Sequence, residues 1–165
     1  MADNKTVSEY GRKIEIKPYV DNIVSKEGFT TGAAKRHGEK GYTMGHGHYG
    51  VGKYDTITEA DSLVRVEKEI YERLARLRKK IPAFDSFPEY LRVPIVSEAY
   101  RGSIFGSPDT MKLMNEGKFD EAAIEFLNND EYRTAEEEDI PGIRPRMEAV
   151  RDALIRFQKE KDAKK

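Results

Sequence analysis

Six side chains able to do chemistry fall in one short stretch: Glu27, His37, Glu39, Thr43, His46 and His48, within SKEGFTTGAAKRHGEKGYTMGHGHYG. The stretch, residues 25 to 50, holds all three histidines of the chain and seven of its thirteen glycines. Two chemistries compete for it. Three histidines can hold zinc and leave a fourth position for water, and in a strand His46 and His48 would point the same way. Alternatively, Glu27 can act as a general acid, with the histidines packing and hydrogen-bonding in the turns behind it. Glycines on both sides of His46 leave a loose strand, and no carboxylate is evidently placed to orient a metal-bound ring. No metal and no cofactor is therefore expected.

The flanking pattern indicates what must position these groups. IKPYVDNIVSKEG reads as a short helix, with Pro18 in its first turn, Tyr19, Val20, Ile23 and Val24 on one stripe, and Gly28 as the stop. Glu27 then lies at the negative end of the backbone dipoles, which raises the pKa of a carboxyl modestly. Residues 29–55 are glycine-punctuated and predict short strands joined by tight turns. Thr58 and Asp61 form a variant capping box. Leu63, Val66, Ile70, Leu74 and Leu77 follow at helical spacing through residue 80. Helices are expected near 89–101, 109–116, 119–128 and 144–159. The run EEED at 136–139 reads as a solvated loop. The expected organisation is a polar, irregular arm over 1–15, one domain over 16–157 and a charged tail over 158–165. Within that domain, 16–57 form a small lobe with a short β-hairpin or sheet, 58–80 a linking helix and 81–157 a helical lobe. The fold class is α+β.

Composition bounds the function. With 165 residues and 38% hydrophobic content the chain suits one domain, and a net charge of −1 argues against general nucleic-acid binding. The absence of cysteine excludes thiol catalysis and disulfides. No stretch approaches the roughly 20 apolar residues needed to span a bilayer, and the first residues lack the apolar centre of a secretory signal. A monomer without membrane insertion is expected.

A helix ending in Glu27-Gly28, a turn-rich gap and then Gly41-Tyr42-Thr43-Met44-Gly45-His46-Gly47-His48 resembles the active-site segment of phage-type lysozymes of the T-even kind. TITEADSLVRVEKEI is similar to the helix that links the two lobes of that family. TMKLMNEGKFDEAAIEFLNNDEYRTA followed by PGIRPRMEAVRDAL is similar to its C-terminal lobe. The resemblance runs in the correct order over roughly residues 16 to 157. It implies a lysozyme-like fold and a muramidase, or endolysin, cutting the β-1,4 bond between N-acetylmuramic acid and N-acetylglucosamine in peptidoglycan. In that reading Glu27 is the general acid, Thr43 holds the attacking water or meets the sugar, and His48 supports the hairpin by hydrogen bonds. Arg146, or failing that Arg144, braces Glu27. Glu98 and Arg101 are candidate sugar contacts, and Tyr132 a candidate stacking ring.

The chain departs from the family at one catalytic position. Counting back from Thr43 to where the family carries its second carboxylate, an aspartate, reaches His37, and no aspartate occurs between residues 22 and 54. Three arrangements remain open: Glu39 as base, His37 as base with an unperturbed pKa near 6.5, or no base at all. In the last, the muramic acid 6-hydroxyl attacks internally and the protein is a lytic transglycosylase. An inactive glycan-binding protein of the same fold is the further alternative. Synthesis in the host cytoplasm without a signal peptide would require a holin-like pore, or delivery on a virion, to reach the wall in the periplasm.

Overall fold

The structure is a computed structural model describing residues 4–36, 39–138, 140 and 142–165, with side chains described from Glu15 onward. Its described residues form seven α-helices and one three-stranded antiparallel sheet, a mixed α+β architecture. They divide into two compact units, the first ending at Glu72 and the second beginning at Arg73. None of the described helices is long and apolar enough to cross a membrane.

In the first unit, α1 (Asn4–Glu27) leads into β1 (Thr30–Ala34), β2 (Tyr42–Gly45) and β3 (His48–Val51), followed by the first turns of α2 (Glu59–Lys80). Ile16, Tyr19 and Ile23 are buried at the 3–4 spacing that places them on one face of α1. The helix begins far earlier than Pro18. Residues 4–15, expected to be an irregular arm, are helical, and Pro18 lies inside the helix. A proline there removes one backbone donor without ending the helix. The stop is Gly28, whose φ of 67° is the left-handed conformation that ends helices at glycine. Glu27 is thereby the last helical residue.

The sheet order is β1-β2-β3, with Thr43 opposite Tyr49 and Met44 opposite His48. His46 and Gly47 form the connection between β2 and β3. The free edge of β1 is partly covered by the following loop: Ala33 N–H donates to Asp55 O and Ile57 N–H to Thr31 O. α2 starts as expected, with Asp61 N–H donating to Thr58 Oγ1 at 3.1 Å. Val66 and Ile70 are fully buried in the first unit's stretch of the helix, Leu74 and Leu77 in the second unit's.

The second unit contains α3 (Glu89–Arg101), α4 (Pro108–Asn115), α5 (Phe119–Leu127), α6 (Asp130–Glu137) and α7 (Ile143–Ala163). α7 packs on α3, α5 and α6 and buries Met147, Val150 and Leu154. Rings of Phe87, Phe119 and Phe157 meet edge-on or tilted, with centroids 4.7–5.6 Å apart. One expectation is corrected. Glu136 and Glu137 of the presumed solvated loop belong to α6, which is capped by Asn129 Oδ1 accepting from Tyr132 N–H at 2.8 Å. The charged tail, read as frayed helix, continues α7 through Ala163. Asp139, the end of the acidic run, lies outside the described residues.

Candidate active site

The end of α1 places Glu27 against the β2–β3 hairpin. Its side chain is only 5% exposed, and Oε2 accepts from Arg36 Nη1 at 2.8 Å. A charge-assisted bond of this length fixes both the carboxylate and the guanidinium. On the hairpin side, Gly47 leaves the space the carboxylate needs: a Cβ there would stand 2.6 Å from Glu27 Oε2. Gly47 also has a φ of 82°, which side chains other than glycine rarely adopt.

Arg36 connects Glu27 to a second carboxylate. Its backbone N–H donates to Glu39 Oε2 at 3.2 Å, and the same oxygen accepts from Thr43 Oγ1 at 2.7 Å. Glu39 precedes β2 and reaches along it to Thr43, which is 2% exposed. One residue thus touches two acids, one through its side chain and one through its main chain. Tyr49 lies opposite Thr43 in the ladder, so its ring emerges on the same face. It is 56% exposed, and its ring edge runs so close to Gly41 that a Cβ there would sit 2.9 Å from the phenol oxygen. His37, the other candidate base, lies outside the described residues.

The remaining histidines do not lie side by side along one strand. His46 is in the turn, His48 opens β3, and both buried rings face Ser62 of α2. Ser62 Oγ lies 2.7 Å from His46 Nδ1 and 2.9 Å from His48 Nε2, and it accepts the His46 backbone N–H at 3.0 Å. His48 Nδ1 is 3.3 Å from Glu69 Oε2, whose other oxygen accepts from Arg65. Burial first, and then neighbouring His48, hold His46 below the ordinary imidazole pKa, against the opposing pull of Glu59 and Glu27. Ser62, His48 and Glu69 follow one another as a nucleophile, base and acid would. Ser62, however, is fully buried, and one of its lone pairs is taken by a backbone donor. These groups build the hairpin and open no reaction site. Among the described residues no three of His, Asp and Glu converge as a metal would require.

In the second unit the candidate sugar contacts behave differently from expectation. Glu98 is fully buried and presents no face to solvent, so the expectation of direct sugar contact is corrected. Ser103 Oγ donates to its Oε2, Arg101 stands 3.7 Å from that oxygen, and Arg146 Nε lies 3.6 Å from Oε1, beyond hydrogen-bond reach. Burial pushes the Glu98 carboxyl up, against the pull of Arg101, Ser103 and Arg146. Arg101 is mostly covered and pairs with Glu131 at 2.8 Å. Arg146 is buried and donates from Nη2 and Nε to Ser97. Arg144 lies over the Tyr132 ring, 5.5 Å from its centroid, with Glu148 at 3.7 Å. Tyr132 donates its hydroxyl hydrogen to Glu148 at 2.8 Å, so cation and carboxylate already engage the proposed stacking ring.

Arg36, Ser62, Glu69 and Tyr49 were not singled out from the sequence. The only signal for Arg36 was a cation between two acids in a glycine-rich loop. No known protein-family model matches the chain, and no match was found among curated proteins.

Proposed function

We propose that this protein is a muramidase with a phage-type lysozyme fold, hydrolysing the β-1,4 bond between N-acetylmuramic acid and N-acetylglucosamine in peptidoglycan. The observation that carries the reading is the pair of acids joined by Arg36: Glu27 at a helix end against Gly47, and Glu39 bonded to Thr43. Glu27 protonates the glycosidic oxygen as the C1–O bond breaks. A water held by Glu39 and Thr43 adds to C1 from the opposite face, and Glu39 takes the water's proton. The leaving sugar keeps the proton from Glu27, and solvent exchange restores both carboxyl groups. This is the inverting scheme, in which acid and base flank the bond with room for one water. A transglycosylase needs no such second acid. Glu39 on Thr43 therefore favours hydrolysis and fills the role left by the missing aspartate.

The test is digestion of purified peptidoglycan followed by mass analysis of the soluble products. The proposal requires muropeptides with reducing N-acetylmuramic acid ends. Anhydro ends would replace it by the transglycosylase, and no release of fragments would leave a glycan-binding protein.

A further inference from the structure

We propose that Ser62 is a positioning residue: its hydroxyl fixes the tautomers of His46 and His48, lets the pair carry one proton at most, and so holds the His46–Gly47 turn against Glu27. Only the last link, to Glu27 as the reacting acid, rests on the function proposed above.

Donors and acceptors around Ser62 Oγ can be satisfied in only one way. A serine hydroxyl offers two acceptor sites and one hydrogen. At Ser62 Oγ, the backbone N–H of His46 occupies one acceptor site. One acceptor site and one hydrogen then remain for two ring nitrogens, His46 Nδ1 and His48 Nε2. One ring must donate and the other accept. Glu69 decides which, because an ionised carboxylate only accepts. Neutral His48 therefore carries its hydrogen on Nδ1, toward Glu69, and accepts from Ser62 at Nε2. His46 in turn donates from Nδ1, the less usual tautomer for a free imidazole.

Protonation obeys the same count. If His48 gains a proton, its Nε2–H fills the second acceptor site, the hydroxyl turns to His46 Nδ1, and His46 must move its hydrogen to Nε2. If His46 gains one, His48 stays neutral. With both charged, three N–H groups would face one oxygen whose own hydrogen has no acceptor, in a fully buried pocket. The charged groups facing His46 are Glu27 from α1 and Glu59 from α2, together with His48 from β3. Glu69, paired with Arg65, faces His48.

The geometry links this set to the site. A Cβ on Gly45 would lie 2.6 Å from Ser62 Oγ, and one on Gly47 would lie 2.6 Å from Glu27 Oε2. The turn is held between the serine on one side and the acid on the other.

Long-range proton–nitrogen NMR of the 15N-labelled full chain reads the tautomers directly. At neutral pH both His46 and His48 are expected as Nδ1–H forms, and on acidification the folded protein should take up one proton between them. In Ser62→Ala, His46 should move to the Nε2–H form and the turnover number on peptidoglycan should fall at least 10-fold with little change in KM. An Nε2–H His46 in the wild type at neutral pH, or two charged rings in the folded protein, overturns the inference even if the variant fails to fold. Wild-type tautomers as stated in a protein that leaves peptidoglycan intact would sink the muramidase reading alone.

Discussion

The guanidinium of Arg36 stands 2.8 Å from the buried carboxylate of Glu27, at the point where α1 ends. Arg36 is 39% exposed and Glu27 5%, so the pair is screened on one side only. Replacing Arg36 by methionine keeps the apolar stem and removes the cation. The remaining charge discounts to a stability loss of about 1–2 kcal/mol, between the values for exposed and buried pairs. Cleavage should fall more than stability does, because the carboxylate loses the group that aims it. Thermal unfolding and initial rates measured on the same samples separate the two.

Gly47 offers a sharper probe of the same carboxylate. An added methyl would meet Oε2 of Glu27 in a backbone conformation with φ of 82°. Gly47→Ala is expected to cost roughly 1–2 kcal/mol of stability from the backbone alone and to reduce cleavage at least 100-fold by displacing the acid. An active Gly47→Ala enzyme would show that Glu27 does not react from this position.

Glu39 is tested by stereochemistry. An inverting hydrolysis of a β-glycoside releases the α-anomer first, and proton NMR of a freshly cut chitin or peptidoglycan oligomer detects it before mutarotation. Glu39→Gln should slow cleavage by about 10²-fold or more, the usual contribution of a positioned base. Retention of the β-anomer would remove Glu39 from the base role.

Much of this architecture was legible from spacing and caps. Glu27 at a helix end followed from Gly28 and the start of α2 from Thr58. α6 was not, because DEYRTAEE buries only Ala135 and so lacks an apolar stripe; Asn129 was its one usable signal. The partnership of Arg36 with both acids depends on how a glycine-rich loop folds back, which periodicity does not encode. Glu98 was misread for a related reason. Its burial depends on Arg146, 48 positions away on another helix, and on Ser103 beyond the end of its own.

Glu98 carries a pH prediction with a definite sign. Its folded pKa is raised, burial outweighing Arg101, Ser103 and Arg146. The unfolded chain therefore loses the proton first, and stability present below the ordinary carboxyl pKa of 4.5 is lost as pH rises through the folded value. Glu98→Gln removes that dependence. The variant should melt higher than wild type at neutral pH, with the difference vanishing as pH falls below the ordinary carboxyl value. Scanning calorimetry across pH gives the comparison, and a wild type whose relative stability grows with pH would reverse the sign.

The claim that Glu27 supplies the proton is tested most directly by Glu27→Gln, which keeps size and burial but cannot act as the acid. Rates of reducing-end release from purified peptidoglycan should fall by at least about 10³-fold in a variant that remains folded and loses no more stability than Arg36→Met. Cleavage by the folded glutamine variant at the wild-type rate would contradict the account.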